Sequence, residues 1–237
     1  MRTNQVEHVE ALVRWVHPVR GVISPAEFIP LAEQSGLIHP LTAWVLQEAV
    51  EQAGRWAAEG LSLPIAVNLS AAVLQDDNLP ASITATLAEA GLSHDRLIVE
   101  ITESVIAEEG VRDALQRLSD VGIACAVDDF GTGYSSLAWL KNLPVQQLKI
   151  DREFVTQMEH DARDRAIVSS VVSLAHSLGL TVVAEGIETA EVAAILGDMG
   201  VDIAQGYLYC HPLPVEELLV WLRARADLLV GSGTIVG

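Results

Sequence analysis

Acidic side chains recur beside short apolar runs in this chain, at positions where several of them could meet in one site. Asp128 and Asp129 directly follow Cys125-Ala126-Val127, and Glu185 follows Val182-Val183-Ala184. The full set is Glu10, Glu100, Asp128, Asp129 and Glu185. In a partly desolvated site these carboxylates would repel one another, so they would have to bind protons or divalent cations. Such oxygen ligands, joined by the amide oxygen of Asn68, favour Mg²⁺, Mn²⁺ or Ca²⁺ over zinc.

One acidic residue at the end of a strand is most often solvated, or caps the helix that follows. Repetition along the chain favours a shared site instead. The carboxyl ends of parallel strands converge on one mouth of an α/β sheet or barrel, and catalytic residues gather there. The sequence therefore predicts that the carboxylates meet at such a mouth.

The adjacent pair Asp128-Asp129 is the strongest local signal for this site. Consecutive residues of a strand face opposite ways, so both can face the mouth only where the strand ends. Gly131 and Gly133 in the following loop would permit the turn. The alternative interpretation is a charged start to a loop with a helix N-cap.

Lys149 lies inside an otherwise apolar run, where a lysine needs a charged partner. It could form a salt bridge with the acidic cluster, or it could orient or activate a water and offset charge in a transition state. Both interpretations stay open. A third role, as a Schiff-base amine, is disfavoured because nearby carboxylates would raise the pKa of the lysine and keep it protonated.

The elements that would position these residues are short strands that alternate with helical patterns, which predicts a mostly parallel sheet covered by helices. Helical spacing is clearest over Leu41–Glu59, Asp164–Leu178 and Ala190–Leu196. The strand-like runs are Val6–Arg14, Pro64–Ser70, Arg96–Glu103, Ile123–Asp129, Gln146–Asp151, Thr181–Gly186 and Asp202–Gly206. We expect a TIM-like (β/α)8 barrel, but seven runs are one fewer than its eight strands and none precedes Val6. Either a strand lies in a segment interpreted as helical, or the chain starts inside its fold.

Composition excludes several classes of protein. The 237 residues suit one domain, and a net charge of −18 opposes binding to a nucleic-acid polymer. Cys125 and Cys210 have no spacing typical of a disulfide framework or zinc finger, which favours a reducing cytoplasm. No apolar run is long enough to span a bilayer, and we expect no membrane contact by this domain. Residues 228–237, which include the glycine-rich end, are expected to form a flexible tail.

Several blocks of this sequence, in the same order, resemble the EAL-domain cyclic di-GMP phosphodiesterase family. Glu10-Ala11-Leu12, followed by Val13-Arg14-Trp15, resembles the signature that names the family. The other blocks are Phe28–Glu33, Val67–Ser70, Glu100–Glu103, Asp128–Leu137, Lys149–Asp151, Ala184–Thr189 and Gln205–Tyr207. The resemblance covers residues 6 to 220, and so implies one EAL domain over 1–237, truncated at its N-terminus. It implies a modified TIM-like (β/α)8 barrel that lacks its first N-terminal strand.

The resemblance implies roles for individual residues. The implied ligands of two Mg²⁺ or Mn²⁺ ions, with Ca²⁺ as an inhibitor, are Glu10, Asn68, Glu100, Asp128, Asp129 and Glu185. Asp128 would bridge the two ions, and the catalytic group would comprise Lys149, Glu10, Asp128 and Glu185. Glu103 would brace the loop that follows Asp128-Asp129. The implied substrate-binding residues are Leu12, Arg14, Pro30, Asn68, Asp151, Glu188, Gln205 and Tyr207, with Arg14 on a phosphate.

The implied reaction is hydrolysis of cyclic di-GMP to linear pGpG in bacterial signalling. The resemblance further implies a homodimer and an upstream sensory or GGDEF domain in the parent protein. Family members carry a Tyr-Gln-Pro-Ile-like strand before the EAL signature, and this chain starts too late to include it. A catalytically silent EAL domain, which binds the dinucleotide or a partner protein, is therefore the competing hypothesis.

Overall fold

A curled parallel sheet forms the centre of the computed structural model, which describes residues 5–133 and 140–231. The strands are β1 (Val9–Ala11), β2 (Trp15–His17), β3 (Gly21–Ile23), β4 (Ile65–Asn68), β5 (Leu97–Thr102), β6 (Ala124–Phe130), β7 (Gln147–Ile150), β8 (Thr181–Ala184) and β9 (Ile203–Ala204). The sheet contains seven of them in the order β1-β4-β5-β6-β7-β8-β9, and all neighbours are parallel. The predicted strands and the predicted parallel α/β architecture are thereby confirmed.

Helices cover the outside of this sheet. They are α1 (Pro25–Ser35), α2 (Ile38–Ala58), α3 (Ala71–Leu74), α4 (Leu79–Glu89), α5 (Val111–Asp120), α6 (Arg152–Gln157), α7 (Ala162–Ser177), α8 (Ala190–Asp198) and α9 (Val215–Gly231). The sequence predicted α2, α7 and α8 to within three residues at each end. Two short 3₁₀ helices, His94–Arg96 and Glu103–Ala107, flank β5.

The main core lies between the sheet and the helices. Within β5, Leu97, Val99 and Ile101 are fully buried against the helical layer. The alternate residues face the inside of the curl, where Ala66, Ile98 and Ala126 form a separate small cluster. Strands buried on both faces are typical of parallel sheets. This alternation directs every second side chain of the central strands into the curl.

The edge strands of the curled sheet are β1 and β9, and within the described residues no strand pairing joins them. A side-chain contact crosses the seam between them. Nε2 of Gln205 donates to Oε2 of Glu10 at 2.9 Å. The sheet is therefore a TIM-like half-barrel whose two edges approach each other at the carboxyl ends, in agreement with the predicted barrel that is one strand short.

The first predicted strand is too long. β1 ends at Ala11, so Arg14 lies outside the strand, although the predicted run Val6–Arg14 included it. The chain instead enters an antiparallel hairpin of β2 and β3 that the sequence did not predict. Trp15 fixes this hairpin by packing edge-on against Phe28 of α1, with ring centroids 5.7 Å apart.

Two further predictions concern the ends of the described segments. Helix α9 continues to Gly231, so residues 228–231 of the predicted tail are helical. Residues 232–237 lie outside the described residues, as does Tyr134-Ser135-Ser136-Leu137 at the end of the Asp128–Leu137 block. Among the helices described, none combines the length and the apolar character needed to cross a bilayer.

Candidate functional site

The carboxyl ends of the strands bring the predicted acidic residues together inside the curl. Parallel register pairs Asn68 at the end of β4 with Glu100 of β5, and Thr102 with Asp128 of β6. Glu185 follows β8 directly, and its N–H donates to the carbonyl of Ile150 at the end of β7, at 3.2 Å. The strands thus end at one level and present their polar side chains to a common space.

Two groups of three carboxylates have the spacing of metal ligands. Oxygens of Glu10, Glu100 and Asp128 lie within 4.8 Å of one another, and so do oxygens of Asp128, Asp129 and Glu185. Asp128 belongs to both groups. Two neighbouring cations that share one bridging carboxylate would fit this arrangement, because carboxylate oxygens are the ligands that hard divalent cations prefer.

A bulge in β6, and not the end of the strand, allows the adjacent aspartates to face the same space. The strand continues to Phe130, and its pairing with β7 shifts between Val127 and Phe130. Asp129 adopts a φ of 54°, in the left-handed region that non-glycine residues rarely occupy. The extra residue of a bulge redirects side chains. The prediction that both carboxylates face the mouth is right, but the predicted cause is wrong.

Contacts on two sides hold the segment that follows this bulge. The buried carboxylate of Glu103 accepts the N–H groups of Gly131 at 2.7 Å and Gly133 at 3.1 Å, through Oε2. This contact agrees with the loop-bracing role that the resemblance implied for Glu103. On another side the ring of Phe154, from α6, lies so close that a Cβ on Gly131 would be 2.6 Å from its Cε2.

Lys149 lies at the bottom of the site, fully buried among four carboxylates. Its Nζ is 2.8 Å from Oε1 of Glu185 and 3.0 Å from Oε2 of Glu100. It is also 3.1 Å from Oδ2 of Asp128 and 3.7 Å from Oε2 of Glu10. Burial alone would lower the pKa of Lys149, but the surrounding carboxylates outweigh it and raise the pKa well above its ordinary value. The amine is therefore held protonated, which opposes a Schiff-base role.

One lysine does not compensate for five carboxylates. Burial, followed by the charges around it, raises the pKa of Glu100 to about 8 and that of Glu185 to about 7, although Lys149 opposes both shifts. Burial and the charge of Asp128 raise the pKa of Asp129 to about 6. The fully buried Oε1 of Glu100 also has no hydrogen-bond partner among the residues that the structure describes. A cation would satisfy that oxygen and relieve the repulsion, so the residues present fit a metal centre.

Two amides orient Glu10 within the site. Nδ2 of Asn68 donates to Oε1 of Glu10 at 2.8 Å, and Nε2 of Gln205 donates to Oε2 at 2.9 Å. Nδ2 of Asn68 is also 3.4 Å from Oε2 of Glu100. Asn68 presents its amide nitrogen to these carboxylates, whereas metal ligation would use its oxygen. The structure thus brings Asn68 and Gln205 to the cluster, in contact with Glu10.

The remaining predicted residues lie around the mouth or on its rim. Leu12, Arg14 and Pro30 are exposed on the β1–α1 side, and Nη1 of Arg14 donates to the carbonyl of Val13 at 3.0 Å. Glu188 is exposed in the segment after β8. The carboxylate of Asp151 accepts the N–H of Glu153 and so caps α6.

Tyr207 is exposed beyond β9, where its ring stacks on His211 with centroids 4.2 Å apart. Sequence reasoning missed both His211 and Phe154. A weak signal existed for Phe154, which is an aromatic residue near the start of a helix, shortly after Asp151. No local pattern connects it with Gly131, because the two come from different elements.

Comparison with known proteins identifies relatives of this chain. The sequence profile of the EAL domain matches residues 1–212. The bifunctional diguanylate cyclase/cyclic di-GMP phosphodiesterase MucR of Pseudomonas aeruginosa is 45% identical over 218 residues, 89% of this chain and 31% of that protein. The cyclic di-GMP phosphodiesterase PA2567 of the same bacterium is 39% identical over 223 residues, 93% of this chain and 38% of that protein.

A solved structure agrees in fold. The PaMucR phosphodiesterase in its c-di-GMP complex superposes with a TM-score of 0.86 and 43% identity, over 90% of this chain and 88% of that one. The present chain spans about a third of the length of each of the two curated relatives named above.

Proposed function

Since the chain belongs to the EAL domain family, we propose that it is a metal-dependent phosphodiesterase that hydrolyses cyclic di-GMP to linear pGpG. The observation that carries the proposal is the pair of carboxylate triplets that share Asp128, with an unpaired buried oxygen of Glu100 between the strands. Two relatives named as cyclic di-GMP phosphodiesterases and a related structure in complex with c-di-GMP supply the substrate.

The proposed ligands of the two cations are Glu10, Asn68, Glu100, Asp128, Asp129 and Glu185. When bound, the cations would supply Lewis-acid charge both to the phosphodiester and to the attacking water. Without them, the carboxylates would repel a substrate that carries two anionic phosphodiesters. Asn68 and Gln205 orient Glu10 through its two oxygens, 2.8 and 2.9 Å away, and so fix one ligand across the seam of the sheet.

Lys149 has two parts in this proposal. Its ammonium group holds Glu10, Glu100, Asp128 and Glu185 within 3.7 Å and offsets part of their charge. A protonated amine at this point can also orient a water by donating to it, and can offset charge that develops in the transition state. Both roles use the protonated form, which its raised pKa maintains.

The substrate-binding residues remain those implied by the family resemblance. Arg14 contacts a phosphate, and Leu12, Pro30 and Tyr207 lie along the groove. Asn68, Asp151, Glu188 and Gln205 complete the polar lining. The exposure of Leu12, Arg14, Pro30, Glu188 and Tyr207 leaves these side chains accessible to a ligand.

The proposed cations are Mg²⁺ or Mn²⁺, and Ca²⁺ is proposed to inhibit. Ca²⁺ takes more ligands, at longer distances and in more variable geometry, than Mg²⁺ does. It should therefore occupy the carboxylates without supporting turnover. We further propose a cytoplasmic homodimer that works beside a sensory or GGDEF domain. The greater length of the curated relatives supports the further domain.

A catalytically silent module that binds the dinucleotide is the second candidate. The observation that favours it is the seam between β1 and β9, which no strand closes within the described residues. Ligands on both sides of an unclosed seam are less firmly fixed than those on neighbouring paired strands. Against it, an inactive site has no physical reason to keep five mutually repelling carboxylates.

One experiment separates these candidates. The purified chain is incubated with cyclic di-GMP and Mg²⁺ or Mn²⁺, while calorimetry follows binding and chromatography follows the release of pGpG. We expect binding and product, with turnover lost on exhaustive chelation and restored by either cation. Product formation in the thoroughly chelated protein would contradict the metal mechanism, and binding without any product would select the silent module. The variant Asp120→Asn, which removes an exposed carboxylate on α5, serves as the matched control.

A further inference from the structure

Phe154 packs against a part of the site whose backbone conformation is unusual. Asp129 has a φ of 54°, and Gly131, two residues later, has a φ of 108°. Non-glycine residues keep positive φ values only when the surrounding structure fixes them. The neighbours of this segment therefore decide whether Asp128 and Asp129 point to the same space.

Glu103 holds the segment from the side of β5. Its carboxylate holds the N–H groups of Gly131 and Gly133, which pulls the chain towards β5. Both hydrogen bonds, from Gly131 and Gly133, end on the same oxygen of Glu103. A second contact, from another direction, restricts the position of Gly131 further.

The ring of Phe154 supplies that second contact. A Cβ on Gly131 would lie 2.6 Å from Cε2, 3.2 Å from Cζ and 3.3 Å from Cδ2 of Phe154, so the edge of the ring faces the Cα of Gly131 directly. Phe154 is itself partly buried against the main core. The N–H of Phe154 donates to the carbonyl of Asp151 at 3.2 Å, within the first turn of α6.

We infer that Phe154 is a positioning residue for the metal centre, acting through Gly131 on the left-handed conformation of Asp129. The inference rests on the proposed function, since it concerns the affinity of the same carboxylates for a cation. A residue that fixes a ligand without touching the metal commonly changes metal affinity by about 10- to 100-fold.

The test compares Phe154→Ala with Val155→Ala. Val155 is the next residue of α6 and is fully buried, so its truncation also removes core packing, but it does not face Gly131. Mn²⁺ binding is measured directly, from the loss of the free-ion signal in electron paramagnetic resonance. We expect Phe154→Ala to weaken Mn²⁺ binding at least about tenfold, and Val155→Ala to leave it within about twofold of the parent protein while lowering the melting temperature.

Turnover as a function of Mn²⁺ gives an independent measurement. For Phe154→Ala we expect a higher half-saturating Mn²⁺ concentration, with kcat restored to near the parent value at saturating Mn²⁺. For Asp129→Asn, which removes a ligand, excess Mn²⁺ should not restore kcat. A purely structural effect of Phe154 would lower the amount of folded protein and leave the half-saturating concentration unchanged.

Phe154→Leu keeps an apolar side chain but lacks the ring edge. If Phe154→Ala does not fold, the Mn²⁺ affinity of Phe154→Leu tests the inference in its place. Equal Mn²⁺ affinities for the Phe154 variants and the parent protein would overturn the inference, as would equal shifts for Phe154→Leu and Val155→Ala. If the parent protein itself bound no Mn²⁺, the proposed function would fail first, and the inference with it.

Discussion

The two ends of the curled sheet differ in chemistry, although the same strands build both. At the carboxyl ends, four carboxylates surround the fully buried Lys149, and a fifth, Asp129, belongs to the same cluster. At the amino ends, the strands line a cavity of about 520 Å³ in which single polar groups alternate with apolar side chains, among them His8, Asp95, Gln147 and Ile98. The amino end therefore combines isolated polar groups with apolar side chains, whereas the carboxyl end concentrates charge.

A thin apolar layer separates the two ends. Ala66, Ile98 and Ala126 face the inside of the curl, and each precedes by two residues a polar group of the site, namely Asn68, Glu100 or Asp128. Since side chains two apart on a strand share a face, one face of each strand carries both the layer and the site. The site is marked by interacting titratable groups, which is typical of functional sites in barrels, and not by the amino-end cavity.

The largest contrast between the two ends should appear when the same substitution is made at each. Asp128→Asn removes the carboxylate shared by both triplets, and we expect kcat to fall at least about a thousandfold. Asp95→Asn makes the same chemical change beside the amino-end cavity, and we expect turnover within about twofold of the parent protein. Product chromatography at saturating cyclic di-GMP measures both variants.

Circular dichroism should show both of these variants folded, because neither change removes core packing. If Asp95→Asn reduced turnover as far as Asp128→Asn does, the functional distinction between the two ends would be wrong. A fully active Asp128→Asn variant would instead place the chemistry elsewhere.

The positions of the carboxylates could be predicted because the ends of the strands could be predicted. Short β-branched runs fix where strands lie, and a parallel sheet sets their carboxyl ends at one level. This information was sufficient to predict the positions of Glu100 and Glu185. The position of Glu10 was predictable for the same reason, although β1 is far in sequence from the later strands.

The bulge at Asp129 and the hairpin after β1 could not be predicted in this way. The φ of Asp129 depends on Glu103 and Phe154, which lie on other elements and meet the bulge only in the folded chain. The three-residue strands β2 and β3 are too short to show a periodic pattern. The missed hairpin also explains the wrong placement of Arg14, since the chain leaves the strand at Ala11.

Removal of the ammonium group of Lys149 should produce the next largest effect. Lys149→Met leaves four buried or partly buried carboxylates without their ammonium partner, and we expect the chelated protein to lose about 3–5 kcal/mol of unfolding free energy. Urea unfolding measures this loss. Added Mn²⁺ should restore much of it, because cations can take over the role of the charge.

Turnover of Lys149→Met then separates the two roles of the lysine. We expect turnover to stay low at saturating Mn²⁺, because the proposed donor to the attacking water is missing. Full recovery of turnover together with stability would limit Lys149 to a salt bridge. Unchanged stability in the chelated variant would contradict the strong coupling implied by its distances to the carboxylates.

The smallest predicted effect lies at the amino end and depends on pH. Burial, assisted by the charge of Lys149 and opposed by that of Glu10, lowers the pKa of His8 from 6.5 to about 4. Between these values the unfolded chain binds the additional proton, so stability falls as pH falls from 6.5 towards 4. We expect the chelated parent protein to lose about 2 kcal/mol more than His8→Gln between pH 7 and pH 5.

Urea unfolding at the two pH values measures this difference, and His39→Gln, which changes an exposed histidine, is the control. The His39→Gln variant should follow the parent protein at both pH values. If His8→Gln also lost as much unfolding free energy as the parent protein between pH 7 and pH 5, the loss would arise from groups other than His8. A loss confined to the parent protein and His39→Gln would assign a pH-dependent structural role to the amino end of the sheet, in contrast to the cation-dependent site at the carboxyl end.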